Sequence, residues 1–245
     1  MTGDTPRFKL GTLVVSSFIA LACGAAQDSQ VSAGDSASQG SSAEAQPGWT
    51  VLFDGTGTDA WRGFRRQDFP AGWQVVEGAL TRVSEGGDIV TKEQFGDFEL
   101  ELDWSVAPGG NSGIMFRVTE ADSNTYRTGP EMQVLDDAKH RDGASRLTAA
   151  GANYGLHEAP AGVVKPAGDW NHVRLVVRGA HVEHWLNGQK VVQYELWSPD
   201  WEAKVKASKF AEWPKYGRAK SGHIAIQGDH DGALALRNIK IRTLP

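Results

Sequence analysis

Hydrophobic and polar positions alternate through most of this chain with a period of two, which is the spacing of a strand rather than of a helix. The cleanest run is Phe98–Val106, where Phe98, Leu100, Leu102 and Trp104 share one face and Glu99, Glu101 and Asp103 the other. Pro108, Gly109 and Gly110 close that run and deliver the chain to Asn111. From there Ile114 and Phe116 alternate with Met115 and Arg117; after a turn-rich stretch containing Asp122, Ser123, Asn124, Gly129 and Pro130, Met132 and Val134 alternate with Glu131, Gln133 and Leu135. This spacing predicts a hairpin in which Arg117, Glu131 and Gln133 share one polar face. Such a mixture of carboxylate, amide and guanidinium suits both sugar hydroxyls and a solvated sheet.

The same alternation predicts further hairpins over residues 73–83, with Glu77 and Gly78 at the tight turn, and over residues 170–194, turning again at Asn187 and Gly188. Residues 195–216 carry three Trp and four Lys with room for one short helix. Two last strands, over 223–227 and 234–241, flank the turn 228–232. Residues 137–169 read as a long loop, and loops of that length are usually functional or disordered. About a dozen short strands separated by regular turn signals predict an all-β domain, a sandwich or jelly roll of two antiparallel sheets.

Composition narrows the partners. The chain of 245 residues has a net charge of -5, so neither nucleic acid nor an anionic membrane surface finds a basic patch to bind. Nine Trp against four Tyr supply large flat faces that pack in cores and stack on pyranose rings. The single cysteine, Cys23, excludes an intramolecular disulfide. It follows a basic region at Arg7 and Lys9, an apolar run over 10–21 too short to span a membrane, and Ala22. The sequence Ala20-Leu21-Ala22-Cys23 resembles a bacterial lipoprotein cleavage box, departing from it at Ala20 where a Leu is commoner, which implies removal of residues 1–22, diacylation of Cys23 and export on a lipid anchor, at the periplasmic or cell-surface side; the alternative is an ordinary signal peptide cleaved near Ala25 or Ala26. Residues 23–46 are Ser, Ala, Gly, Gln and Asp with little to bury, a flexible tether leading to a domain over 47–245.

Several groups of residues carry possible chemistry. Glu99, Glu101 and Asp103 alternate as the carboxylates of jelly-roll glycosidases do, at roughly 6.6 Å per pair along a strand; they equally make the polar side of a half-buried strand. Asn111, Arg117, Glu131, Gln133 and Asp136 come from two adjacent strands and are chemically mixed. His223 and Gln227 are expected on the outer side of a strand whose Ile224 and Ile226 face inward, with Asp229 and His230 in the turn beyond, and histidine is suited to proton transfer near neutrality. The face of His184 is not decided by its neighbours, and nothing fixes a role for His140 or His157. For a metal, only His181 and His184 around Glu183 approach ligand spacing, and weakly; no cofactor is expected, and Ca²⁺ is left open without being indicated. Phosphate loop, nucleophile elbow and dinucleotide fingerprint are all missing from the sequence.

Taken in order, Gly48-Trp49-Thr50-Val51-Leu52-Phe53-Asp54-Gly55, Trp73 with Glu77-Gly78, Asn111-Ser112-Gly113-Ile114 with Arg117, Glu131-Met132-Gln133-Val134-Leu135-Asp136, Trp170-Asn171, His184-Trp185-Leu186-Asn187-Gly188, Gly222-His223-Ile224-Ala225-Ile226-Gln227 and Arg237-Asn238-Ile239 resemble the 3-keto-disaccharide hydrolase domain family over residues 48–245. That resemblance implies a concanavalin A-like jelly roll with a site on its concave face, and action on glycosides already oxidised at C3 of the sugar. A base removes the C2 proton, the C1 substituent is eliminated, and water adds back. It further implies Glu131 as the base, Arg117 and Gln133 as groups that recognise carbonyl or hydroxyl, His230 or His184 as the acid, and Asp136, Asn111 and Tyr154 as the wall, with His223 and Gln227 among the substrate contacts. The stretch Ala150-Gly151-Ala152-Asn153-Tyr154 departs from the Thr-Gly that often precedes the Tyr in this family. Two rivals stand beside this reading. One is a carbohydrate-binding module with a flat platform of Trp61, Trp197 or Trp201; the other is an ordinary glycosidase using Glu99 and Asp103.

Overall fold

A computed structural model describes residues 48–230 and 232–245. The leader over 1–22, Cys23 and the tether over 23–46 lie outside the described residues. Thirteen strands follow in order: β1 Thr50–Phe53, β2 Trp61–Gly63, β3 Trp73–Val76, β4 Ala79–Arg82, β5 Ile89–Thr91, β6 Phe98–Val106, β7 Asn111–Val118, β8 Glu131–Leu135, β9 Asn171–Arg178, β10 His181–Leu186, β11 Gln189–Glu195, β12 His223–Ile226 and β13 Leu234–Thr243. They form two antiparallel sheets. The larger runs β11-β10-β9-β6-β13-β4-β3 with β1 also paired to β13, and the smaller runs β2-β5-β12-β7-β8.

The inward residues of β6, Phe98, Leu100, Leu102 and Trp104, share one buried apolar core with Ile114 and Phe116 of β7, Met132 and Val134 of β8, and Ile224 and Ile226 of β12. Burial of these faces is what holds the sheets together. On the opposite side of β6 the acidic comb is consumed by its neighbours. Glu99 pairs with Arg174 and Arg242, Glu101 with Lys240 at 2.9 Å, and Asp103 with His172 at 2.9 Å and Arg237 at 3.2 Å. The partners stand on β9 and β13, on either side of β6: Arg242, Lys240, Arg237 and His172 directly opposite their acids, and Arg174 opposite Glu101, from where it reaches Glu99 diagonally. These cross-strand charge pairs serve the sheet, and the glycosidase expectation for Glu99 and Asp103 is thereby corrected.

A second correction comes from β7. Its residues Met115 and Val118 pair with Ala225 and His223, so three steps on β7 meet two on β12. This is a β-bulge, and Arg117 within it has φ of 50°. The alternation therefore slips: Met115 and Val118 both join Val90 and Ala225 in a small cluster, while Arg117 leaves that face. Its Nε donates to the Gly96 carbonyl and its Nη2 to Asp97, both at 3.1 Å, and its guanidinium lies over the Trp197 ring at 5.8 Å. Asp97 also accepts from the Gly179 amide at 2.9 Å. Arg117 ties the start of β6 to β7 instead of sharing a face with Glu131.

Two irregular segments close over the edge of the smaller sheet. Residues 151–154 run beside β8: the Gly151 amide donates to Gln133 at 2.8 Å, the Gln133 amide to Ala152 at 3.0 Å, and the Tyr154 amide to Glu131 at 3.0 Å. An edge that would otherwise expose its ladder is covered this way. Upstream, Asp137 accepts from the Ala150 amide at 2.7 Å and from Arg146 at 3.2 Å, which orders the loop between them. The second segment is the predicted short helix, α1 Pro199–Lys206, capped by Ser198 with Pro199 at its first position. It buries Trp201, which stacks at 5.4 Å on Tyr194 and at 6.0 Å on Tyr216; Tyr216 in turn stacks on Phe210 at 4.0 Å. This ladder of rings fixes the turn Lys209–Glu212 against the sandwich.

Candidate active site

Glu131 opens β8 and points outward from the smaller sheet, into a cleft of about 400 Å³. Across the strand pair, Gly113 of β7 stands opposite Gln133. A Cβ at 113 would come within 2.6 Å of the Glu131 Cδ, so glycine there is what leaves the carboxyl its place. Asn111, Gln133 and Gln227 line the floor beside it. Gln133 donates from its amide to the Thr148 carbonyl at 3.2 Å. The oxygens Asn111 Oδ1 and Gln133 Oε1 are buried acceptors without a partner among the described residues, and buried acceptors are normally satisfied.

The walls come from the segments that close over the edge. The loop after β8 supplies His140, Asp142 and Tyr154; the Tyr154 hydroxyl donates to Asp142 at 3.3 Å, and His140 Nδ1 accepts from the Asp142 amide at 3.1 Å, which leaves the ring proton on Nε2. The turn after α1 supplies Lys209, whose Nζ sits 4.5 Å over the Tyr154 ring, and Trp213, tilted against Tyr126 at 5.4 Å. The turn after β12 supplies Asp229 and His230, with 3.7 Å between Oδ1 and Nε2. Asp88, next to β5, holds that turn by accepting from the Gly228 amide at 2.8 Å, and holds the Tyr126 turn through the Thr125 hydroxyl.

Electrostatics follow from burial among acids. Desolvation pushes the Glu131 carboxyl up to about 8, against the pull of Lys209 and with Asp88, Asp229 and Asp142 adding to the rise. Burial likewise raises Asp88 to about 6 and, with Asp142 and Glu131 nearby, Tyr154 to about 12. His230 is pushed below its ordinary value, first by burial and then by Arg82 and His140, while Asp229 and Asp142 oppose the shift. A carboxyl with an affinity for protons near neutrality, in a cleft with two histidines and an ammonium, is suited to general acid–base chemistry.

The cleft brings together Glu131, Gln133, Asn111, Tyr154, Gln227 and His230. Four expected site residues lie elsewhere. Arg117 sits in the bulge already described. Asp136 has its oxygens taken by the Gly109 amide at 2.7 Å and the Ala138 amide at 3.1 Å, so it holds a turn. His184 faces into the sandwich, where Nδ1 donates to the Gly151 carbonyl at 3.0 Å and Nε2 accepts from the Tyr194 hydroxyl at 3.4 Å; burial pushes it down to about 4, so it stays neutral. His223 is spent at the far end of β12, donating to the Thr91 carbonyl at 2.7 Å and accepting from Gln94 at 3.3 Å. His181 pairs outward with Glu195 while His184 points inward, which dissolves the weak metal spacing. Among the described residues no group of three or more His, Cys, Asp or Glu is arranged to hold a metal ion.

Lys209, His140, Arg141, Asp142, Tyr126, Phe210, Trp213 and Asp229 complete the cleft. Of these the sequence offers a signal only for the histidine and acid of the long polar loop and for the turn acid; Lys209 and Trp213 are two of many similar residues in their segment. Of the flat-platform rival's three rings, Trp61 and Trp201 are 1% and 0% exposed, and Trp197 is half-buried, with its indole donating to the Gly217 carbonyl at 2.7 Å and Arg117 over its ring.

Fold and cleft together define a β-sandwich with a polar cleft on the outer face of its smaller sheet. The sandwich fold alone is shared with a Bacillus subtilis protein of galectin-like fold, with a TM-score of 0.50 at 14% identity, over 77% of this chain and 92% of that one. Residues 48–242 match the 3-keto-alpha-glucoside-1,2-lyase-like domain, and the chain belongs to that family. A 3-keto-disaccharide hydrolase from Bacteroides thetaiotaomicron is 31% identical over 229 residues, 80% of this chain and 79% of the relative. A crystal structure from Parabacteroides distasonis, provisionally assigned as a glycosyl hydrolase, has a TM-score of 0.75 at 31% identity and covers 81% of this chain and 94% of its own. A second from the same organism, with the same assignment, has a TM-score of 0.65 at 31% identity, over 80% and 99%. The chain is accordingly a hydrolase by kinship.

Proposed function

We propose that the protein hydrolyses 3-keto-glycosides by elimination and hydration, with Glu131 as the base. The carrying observation is the Glu131 carboxyl, pushed up to about 8 and seated over Gly113 in a cleft that also holds Lys209 and His230. A ketone at C3 acidifies the proton on C2. Glu131 takes that proton, and the electron pair of the C–H bond becomes the enolate of the C3 carbonyl, beside which the Lys209 ammonium offsets the new charge. Collapse of the enolate restores the ketone, forms the C1–C2 double bond and breaks the bond from C1 to the leaving oxygen, to which His230 supplies a proton. Water then adds to C1 and a proton returns to C2, which balances to hydrolysis. The unpartnered oxygens of Asn111 and Gln133 are suited to accept from the sugar hydroxyls.

The test is release of the aglycone from a chromogenic glucoside and from its 3-keto derivative. Release from the ketone alone, reduced about 10³-fold in Glu131→Gln as loss of a positioned base requires, is the expected result. Sugar binding without release from either substrate would leave a binding module. Release from the plain glucoside would remove the ketone from the account.

Export on a lipid anchor belongs to the same reading and rests on the sequence 10–23. Detergent-phase partition of the full chain, abolished in Cys23→Ser, is the expected outcome; a water-phase full chain would refute the anchor.

A further inference from the structure

The two residues that follow β12 are held by all four of their backbone groups. The Gln227 amide donates to the Gly113 carbonyl at 3.0 Å, and the Gln227 carbonyl accepts from the Ser112 hydroxyl at 2.8 Å. One residue on, the Gly228 amide donates to Asp88 Oδ1 at 2.8 Å, and the Gly228 carbonyl accepts from Arg82 at 3.1 Å. His230 itself is held by little. Its side chain is 39% exposed, and its Nε2 stands 3.7 Å from the Asp229 carboxylate, beyond hydrogen-bond reach. Where the ring stands is therefore decided at Gln227 and Gly228.

We infer that Asp88 is a positioning residue for the leaving-group acid: its carboxylate fixes the turn that carries His230 relative to Glu131 and ties that turn to the facing wall of the cleft. The inference rests on the proposed elimination, in which His230 protonates the departing oxygen, and it names the group that keeps this acid in place.

Asp88 differs from the other three partners in joining two walls. Its Oδ2 accepts from the Thr125 hydroxyl, and Thr125 is fully buried at the head of the turn Thr125–Arg127, which carries Tyr126. That turn is closed by the Thr128 and Gly129 amides, which donate to the Thr125 carbonyl at 3.1 Å and 3.0 Å. Tyr126 and His230 both line the cleft, so one carboxylate spans from its aromatic wall to its acid.

The strut is itself anchored. The Asp88 carbonyl accepts from the Phe64 amide at 2.9 Å, and the neighbouring Gly87 carbonyl accepts from the Trp73 indole at 2.9 Å. The turn lies close against this segment: a Cβ at Gly228 would come within 2.8 Å of the Gly87 carbonyl carbon and 3.0 Å of the Trp73 ring. Glycine at 228 is what lets the amide meet the carboxylate. An ionised carboxyl suits the place because it accepts on both oxygens at once. Its two donors, Thr125 and Gly228, oppose the burial that pushes it up to about 6.

The test uses methyl and 4-nitrophenyl 3-keto-glucosides. The methyl compound expels a strongly basic alkoxide and needs the acid; the aryl compound does not. The readout is the ratio of kcat/KM for the methyl substrate to that for the aryl substrate, in which effects on the C2 base cancel. His230→Ala sets the scale. Asp88→Ala is expected to lower the ratio at least about tenfold, on the scale of a small misplacement of a reacting group. The double variant Asp88→Ala/His230→Ala is expected to fall no further than His230→Ala, because the two residues act as one unit. Asp88→Asn keeps an acceptor for the Gly228 amide and offers donors to the Thr125 hydroxyl, so it is expected to restore the wild-type ratio. Melting curves verify folding, and where Asp88→Ala does not fold, Asp88→Ser takes its place. An unchanged ratio in the Asp88 variant, or additive losses in the double variant, would overturn the positioning role and leave the elimination intact. An unchanged ratio in His230→Ala would overturn the acid assignment and the inference with it. A wild type inactive on both ketones would overturn the elimination itself.

Discussion

Glu131 and Gly113 form a unit in which a carboxyl is buried where a neighbouring side chain is missing. Burial makes the carboxylate a strong base once ionised, because its charged form is poorly solvated. With a 4-nitrophenyl leaving group, which departs as a weakly basic anion and needs no acid, the rate reports the C2 base alone. Its value of about 8 then predicts that turnover of such a 3-keto-glucoside rises as pH rises toward 8 and levels off above it, since the ionised fraction does the same. A rate flat or falling across that range would assign Glu131 another task. Gly113→Ala places a methyl group against the carboxyl and is expected to lower kcat/KM by about 100-fold, the scale of an ångström-sized misplacement, with melting temperature and KM changed far less than kcat. A loss confined to stability would show that Gly113 serves packing only.

At the scale of elements, the strands were largely legible. Period-two patterning locates β6, β7, β8 and β12 and the inward set of Ile224 and Ile226, because a sheet with one apolar face leaves that mark in any sequence. The bulge in β7 left none: one residue at φ of 50° reverses the face of Arg117, and only the pairing with β12 shows it. His184 was equally hidden, since its neighbours on β10 mix polar and apolar on both sides. Of the cleft, the part written on β8, on the long polar loop and on the turn after β12 was readable, while Lys209 and Trp213 arrive through packing of a segment whose sequence carries no period. Arg117 therefore acts on stability. Arg117→Met is expected to lower the free energy of unfolding by about 1–3 kcal/mol, the cost of leaving the Gly96 and Asp97 acceptors without their donor, as measured by urea denaturation, with KM for the ketone retained. A variant that folds as well as the wild type and loses substrate binding would return Arg117 to the site.

Across the whole molecule the two sheets divide the work. The outer face of the larger sheet carries the Glu99, Glu101 and Asp103 ladder, its charges compensated by β9 and β13. The smaller sheet gathers acids that are not compensated in that way, and Asp88, Glu131 and Tyr154 are all pushed upward there. The proposed transfer of a proton from carbon to Glu131 rests on these facts, and the path of the C2 hydrogen tests it most directly. The measurement is hydrolysis of a 3-keto-glucoside in D2O, with deuterium read by NMR or mass at C2 of the released sugar. Elimination and hydration predict deuterium at C2 in the wild-type product, and loss of both release and labelling in Glu131→Gln. Release with the C2 hydrogen retained throughout would mean direct displacement at C1 and would contradict the account.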